Sequence, residues 1–155
     1  MTPAINIAKK AKIKYNIHEY KHDHDNSSFG EEAALKLGIS EDRVFKTLLV
    51  QLSSKELAVA VLPVSNQLSL KNIAACLKQK KAVMANKEDA QRSTGYLLGG
   101  ISALGQKKRL KTIIDKSALS YDTIYISAGK RGLEIELNAN DLAKLLNAQF
   151  EVLTL

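Results

Sequence analysis

Two stretches of this chain carry residues suited to chemistry: a cluster of glycines with a basic flank, and a lysine set inside an apolar run. Arg92-Ser93-Thr94-Gly95-Tyr96-Leu97-Leu98-Gly99-Gly100-Ile101-Ser102-Ala103-Leu104-Gly105-Gln106-Lys107-Lys108-Arg109 holds four of the eight glycines within eleven residues. Its apolar content separates it from a flexible Gly/Ser linker. Glycine permits positive φ and lets a backbone approach a ligand closely, and successive bare N–H groups in such a turn can bind an anion or oxyanion. Lys107, Lys108 and Arg109 follow at once. The combination suits an anionic ligand with an apolar part. A tight turn between two strands, followed by a solvated basic face, is the plainer alternative, and spacing alone leaves both open. The stretch is neither a P-loop nor a G-x-G-x-x-G dinucleotide fingerprint.

Val44-Phe45-Lys46-Thr47-Leu48-Leu49-Val50 is apolar on both alternating faces apart from Lys46 and Thr47, which reads as a buried strand. Lysine is almost never fully buried without a partner. Lys46 either snorkels out at the strand start or, the reading adopted here, points into a cleft to meet an anion. Phe29 sits at the N′ or staple position of a helix, where it packs on its own helix or projects over a ligand as a stacking platform. His22-Asp23-His24-Asp25 fits no structural zinc spacing and has no cysteine nearby, so Asx-turn hydrogen bonding is its expected use. Cys76 lies beside a helical apolar stripe, with no histidine close in sequence, and reads as structural.

The elements that must position these residues follow from caps and periodicity. Thr2-Pro3 starts a helix with stripe Ala4, Ile5, Ala8 and Ala11. Ile13, Tyr15 and Ile17 alternate as a strand ending near Tyr20. A short helix begins at Phe29-Gly30-Glu31-Glu32, its acids favoured by the dipole, and ends at Gly38. The Lys46 strand returns as a hairpin through Leu57–Leu62. Ser69 caps a helix with Leu70, Ile73, Ala74 and Leu77 inside. Ala82–Met84 is a short strand, and Asn86 caps a helical turn through Gln91. After the glycine stretch, Thr112–Ile114 and Thr123–Ile126 are β-branched strands. Ser127-Ala128-Gly129-Lys130-Arg131-Gly132 reads as a glycine–basic turn, and Leu133–Leu137 returns with Glu134 and Glu136 on one face. Asn138 caps the last helix, and Phe150–Leu153 can close the sheet. Six or seven strands and four helices, joined by hairpins and crossovers, predict an α+β fold with a mixed, barrel-like sheet flanked by helices.

A chain of 155 residues with 45% hydrophobic and 25% charged residues reads as one globular domain over 1–155. A net charge of +7 fits an acidic partner such as nucleic acid. One cysteine excludes an intramolecular disulfide. No signal-peptide pattern or membrane-length apolar run is seen, so a soluble cytoplasmic protein is expected.

Met1-Thr2-Pro3-Ala4, Tyr20, Phe29-Gly30, Lys46-Thr47, Ser93-Thr94-Gly95-Tyr96-Leu97, Gly99-Gly100-Ile101-Ser102, Leu104 to Arg109 and the turn Gly129-Lys130-Arg131-Gly132 together resemble the bacterial YbaK family, essentially end to end. These are free-standing Cys-tRNA(Pro) deacylases, related to the editing domain inserted in bacterial prolyl-tRNA synthetase. The resemblance implies a mixed β-barrel flanked by helices, with one pocket for the aminoacylated CCA end of tRNA, mainly tRNA(Pro). Carried over by position, Tyr20, Phe29, Lys46, Thr47, Gly99, Ile101, Ser127 and Glu134 bind substrate. The amides of Gly99 and Gly100 meet the carbonyl oxygen, and Lys46 fixes a terminal phosphate or the ester. Tyr20 and Phe29 pack on the terminal adenosine, and Ser127 and Glu134 place the amino group or ribose. Lys107, Lys108, Lys130 and Arg131 contact phosphates without sequence preference.

The family's chemistry is substrate-assisted: the cysteine thiol attacks its own carbonyl and expels the tRNA. No metal or cofactor is implied, and prolyl-tRNA synthetase is a transient partner. Water activated by Glu134 is the alternative mechanism. A non-catalytic nucleotide-binding module is the competing class, with a regulatory protein that only engages a synthetase as a third reading. The chain departs from the superfamily pattern at Ala103, where proline is common, at Glu134, where close relatives have aspartate, and at Ala128, which replaces a glycine.

Overall fold

The computed structural model describes residues 1–24 and 28–155. Asp25 and the adjoining Asn26 and Ser27 lie outside the described residues, so the expected Asx turn there lies outside them too. The elements run α1 (Pro3–Ala11), β1 (Tyr15–Glu19), α2 (Phe29–Leu37), β2 (Phe45–Leu52), β3 (Leu57–Pro63), α3 (Leu70–Cys76), β4 (Ala82–Met84), α4 (Lys87–Thr94), β5 (Lys111–Asp115), a 3-10 turn (Lys116–Ser120), β6 (Ile124–Lys130), β7 (Leu133–Leu137), α5 (Ala139–Leu146) and β8 (Gln149–Glu151). This is the expected α+β architecture.

The predicted caps form as chemistry dictates. Thr2 Oγ1 accepts from the Ile5 amide at 3.2 Å and donates to the Ala128 carbonyl at 2.5 Å, so one hydroxyl caps α1 and ties it to β6. Ser69, Asn86 and Asn138 likewise accept from first-turn amides of α3, α4 and α5. Gly38 and Gly95 end α2 and α4 in the left-handed conformation.

The strands divide between two sheets. One is β1-β7-β6, antiparallel throughout; the other is β4-β2-β3-β5-β8, in which β5 pairs parallel with both β3 and β8. Among the described residues an isolated parallel bridge, Val44 to Tyr125, joins them. The largest core cluster fills the space between α1, α5 and both sheets, with Phe45, Leu104, Ile114, Ile124, Ile126, Ile135, Leu137 and Leu142 almost fully buried. A second cluster packs α3 against the other face of the larger sheet, through Leu62, Ile73, Ile113 and Leu153.

Two local expectations are corrected, and one of two open alternatives is removed. Phe29 is the first residue of α2 rather than its N′ position. The segment 127–132 is mostly strand: β6 continues to Lys130 across a register shift between Ser127 and Lys130, leaving Arg131-Gly132 as the turn. The glycine stretch is no tight turn between strands. It runs irregularly from the end of α4 at Gly95 to β5 at Lys111.

That long loop is nonetheless fastened on both sides of Ala103. The buried Tyr96 hydroxyl donates to the Leu104 carbonyl at 2.6 Å, and Gln106 Nε2 donates to the Ser102 carbonyl at 3.0 Å. The amides of Lys107 and Lys108 close onto the carbonyls of Thr94 and Ser93. These bonds restrain the loop around Ala103.

Candidate active site

A cavity of about 360 Å³ opens where the two sheets meet. The first turn of α2 supplies Phe29, Gly30 and Glu31 to its wall; β2 supplies Lys46 and Thr47; the glycine loop supplies Leu98, Gly99 and Ile101. Tyr20 follows β1, and Ser127 and Glu134 come from directly opposed positions on β6 and β7. Tyr20, Phe29, Lys46, Thr47, Gly99, Ile101, Ser127 and Glu134, all singled out from the sequence, therefore converge on one cavity.

Gly30 explains how α2 reaches the wall. A Cβ built there would lie 2.3 Å from Val64 Cγ2, just beyond the end of β3, so only glycine lets the helix start this close. Gly99 is held at φ +91°, and its would-be Cβ meets the Phe29 ring at 3.1 Å. The N–H of Gly99 makes no hydrogen bond among the described residues, which leaves it as a donor for a ligand.

Gly100 does not share that role. Its amide donates to the Leu97 carbonyl at 3.0 Å, closing a turn, and its α carbon backs onto the chain at Lys130 and Arg131. The expected oxyanion donor at Gly100 is corrected on this ground: the N–H is already spent, and the residue is a packing glycine.

The charged groups are tuned by burial. Lys46 Nζ donates to the Asn66 carbonyl at 2.7 Å, which holds the ammonium at the cavity. Burial lowers its pKa, opposed by the carboxylate of Glu31. The Glu134 side chain is buried, and burial pushes its carboxyl up to about 8. No cation lies within ion-pair distance of it among the described residues. At pH 7 this carboxyl is mostly protonated, and in that form it can donate a hydrogen bond to a ligand. Tyr20 is pushed up to about 12, first by burial and then by Glu134. Thr47 Oγ1 is buried without a partner among the described residues, leaving a hydroxyl at the cavity for a ligand to satisfy.

The expected phosphate-binding cations are dispersed. Lys107 and Lys108 are exposed on the glycine loop, and Lys108 with Arg109 rims a separate cavity of about 160 Å³ beside Ile7 and Leu145. Lys130 is exposed at the end of β6. Arg131 is turned inward instead. Its guanidinium carbon lies 4.5 Å from the centre of the Phe29 ring, and Nη2 donates to the Asp23 carbonyl at 2.7 Å. The expectation of a phosphate contact there is corrected, because the guanidinium is engaged within the protein.

Sequence reasoning missed the group that receives Arg131. Glu32, read as an ordinary first-turn acid, is fully buried; Oε1 lies 3.6 Å from Arg131 Nη2 and Oε2 lies 3.5 Å from Lys36 Nζ. The Asp23 amide also donates to Oε2 at 2.7 Å. The only signal in the sequence was an acid sharing its helix turn with buried alanines.

With no histidine or cysteine along its wall, this cavity contains neither a Ser–His nor a Cys–His pair. It offers an apolar floor, the Lys46 ammonium, the Gly99 amide and a carboxyl kept mostly neutral. Such a site can orient and polarise an activated ester rather than attack it.

Comparison with known proteins places the chain in a class. The profile of the aminoacyl-tRNA editing domain matches residues 24–145, and the chain belongs to that family. An Enterococcus faecalis protein, named provisionally as the Cys-tRNA(Pro)/Cys-tRNA(Cys) deacylase EbsC, is 37% identical over 153 residues, covering 99% of this chain and 93% of its own. Two solved structures share the fold. One, described as a candidate trans-editing enzyme for prolyl tRNA synthetase, superposes with a TM-score of 0.80 at 18% identity, covering 100% of this chain and 99% of the other. A hypothetical protein superposes with a TM-score of 0.88 at 19% identity, covering 99% and 100%.

Proposed function

We propose that this protein is an aminoacyl-tRNA deacylase that acts in trans on Cys-tRNA(Pro), and on Cys-tRNA(Cys) where the same ester is presented. Membership of the editing-domain family and the likeness to the Enterococcus protein support the reaction class. The observation that carries the reading is the cavity itself: the Gly99 amide, a lysine and a buried carboxyl, with no histidine or cysteine along its described wall.

The substrate thiol then does the attacking. Cysteine Sγ forms a bond to its own ester carbonyl, and the negative charge collects on the carbonyl oxygen beside the Gly99 amide. The bond to the terminal ribose oxygen breaks, and the thiol proton passes to that oxygen. The products are free tRNA and a cyclic cysteine thioester, which water opens in solution. Lys46 binds the terminal phosphate or the ester as a point charge. Tyr20 and Phe29 pack on the adenosine, and protonated Glu134 with Ser127 places the amino group or ribose. Burial raises the Glu134 carboxyl toward the working pH, the range in which a carboxyl serves as a general base, so water activated by Glu134 is the second mechanism. The exposed cations Lys107, Lys108 and Lys130 add binding without sequence preference, and prolyl-tRNA synthetase, met transiently in the cytoplasm, supplies the choice of tRNA.

The test is release of cysteine from Cys-tRNA(Pro), with Ser-tRNA(Pro) as the control ester. Fast loss of the cysteinyl ester alone agrees with thiol attack. Equal loss of both esters would retain the deacylase and remove thiol assistance. Saturable tRNA binding with no turnover would make the protein a binding module.

A further inference from the structure

We infer that Arg131 is a positioning residue of the cavity, a clamp that presses the Phe29 ring onto Gly99 and thereby sets the gap between α2 and the glycine loop. The ring lies between two fixed surfaces. On one side is the guanidinium, 4.5 Å from the ring centre; on the other is the α carbon of Gly99, where an added Cβ would touch Cε2 and Cζ at 3.1 Å.

The guanidinium is itself held. It donates to the Asp23 carbonyl and pairs with Glu32. Glu32 is fully buried on the same turn of α2 as Phe29, and Lys36, one turn on, pairs with its second oxygen. Lys36 Nζ in turn donates to the Lys21 carbonyl and pairs with Asp23 at 3.2 Å. The turn that carries Arg131 is equally fixed. Gly132 stands at φ +89°, a Cβ there would lie 2.8 Å from the Tyr20 carbonyl oxygen, and the Tyr20 amide donates to Gly132. One cation therefore joins the β6–β7 turn to the segment after β1 and the start of α2, and the latter two line the cavity through Tyr20 and Phe29.

A planar guanidinium can stack on the ring while its edge bonds a carbonyl and a carboxylate; a lysine ammonium cannot do both. Arg131→Lys is accordingly the informative variant, because it keeps a countercharge for buried Glu32 and preserves folding. Arg131→Met, which keeps the stem and removes the charge, is the second.

The experiment has two arms. In the first, ¹³C-labelled phenylalanine and ¹⁵N-glycine report the Phe29 ring and the Gly99 amide by NMR in the absence of any substrate. Only three phenylalanines are present, which makes the ring assignable. Both signals are expected to move in Arg131→Lys, while Phe150 on β8 stays in place. Unmoved Phe29 and Gly99 signals would overturn the clamp. In the second arm, which rests on the deacylase reading, Arg131→Lys is expected to lower kcat for Cys-tRNA(Pro) about tenfold with KM changed less than about twofold. The same change made in a Phe29→Leu background is expected to cost nothing further. Additive losses, a raised KM and a shallower salt dependence would instead make Arg131 a phosphate contact. If the unmodified protein releases no cysteine, the deacylase reading fails while the NMR arm still decides the clamp.

Discussion

Glu134 and Glu136 lie two residues apart on one face of β7, and their surroundings drive their carboxyls in opposite directions. Burial without a cation pushes Glu134 up to about 8. Burial acts the same way on Glu136, but hydrogen bonds from Thr123 at 2.5 Å and His18 at 2.9 Å, with Arg43 nearby, outweigh it and leave that pKa lowered. One strand thus presents a neutral carboxyl to the cavity and a charged one to a surface network.

Stability is expected to fall as pH rises from about 4.5 to about 8 on account of Glu134. In that window the unfolded carboxyl is ionised while the folded one keeps its proton, so the folded state binds more protons and loses ground as they are removed. Urea titrations at pH 5 and pH 8 check this, and Glu134→Gln is expected to flatten the slope. A steeper slope in that variant would contradict the assignment.

Lys46→Ala is expected to reduce cysteine release by about 10²-fold, within the range seen when one charge-stabilising donor is lost. Stability should change little, since Nζ is bound only to the Asn66 carbonyl among the described residues. Lys46→Arg should restore less than half the activity, because a rigid fork does not replace a compact ammonium at this distance. Single-turnover assays beside thermal melts separate the two effects.

Two left-handed glycines should respond differently to alanine. Gly38 has open space around it, so Gly38→Ala is expected to cost only the backbone penalty of about 1 kcal/mol. At Gly105, φ is +73° and a Cβ would lie 2.7 Å from the backbone carbon of Pro3. Backbone cannot rotate aside as a side chain can, so Gly105→Ala should cost at least about 2 kcal/mol more. Equal denaturation midpoints for the two variants would refute this.

Tyr96→Phe is expected to destabilise by about 1–3 kcal/mol, because it leaves the buried Leu104 carbonyl without its donor. Adding Ala103→Pro tests whether proline can restore the loop by another route. Melting curves of the single and double variants, alongside activity, report both.

Much of this architecture was legible in local chemistry. Thr2-Pro3, Ser69, Asn86 and Asn138 announced helix starts because capping is decided within four residues. Lys46 stood out because a cation interrupts an apolar run, and the structure places it at the cavity. The misreadings arose where long-range contacts override local pattern. Nothing near Gly100 in sequence shows that it backs onto Lys130 and Arg131. Arg131 beside Lys130 looks like a second surface cation until Phe29 and Glu32, about a hundred residues earlier, are brought under it. The division into two sheets was equally hidden, since strand period does not state which strands become neighbours.

The isolated bridge between Val44 and Tyr125 has a dynamic consequence. Lys46 and Thr47 ride on one sheet, Ser127 and Glu134 on the other, and little backbone bonding spans the join. A shear of the two sheets would change the spacing between the lysine and the carboxyl without breaking either sheet's ladder. The cavity lies at this join, so any change in that spacing changes the width of the cavity. Amide exchange should register the shear as faster turnover at Tyr125, beside the bridge, than at Ile135 on the central strand β7.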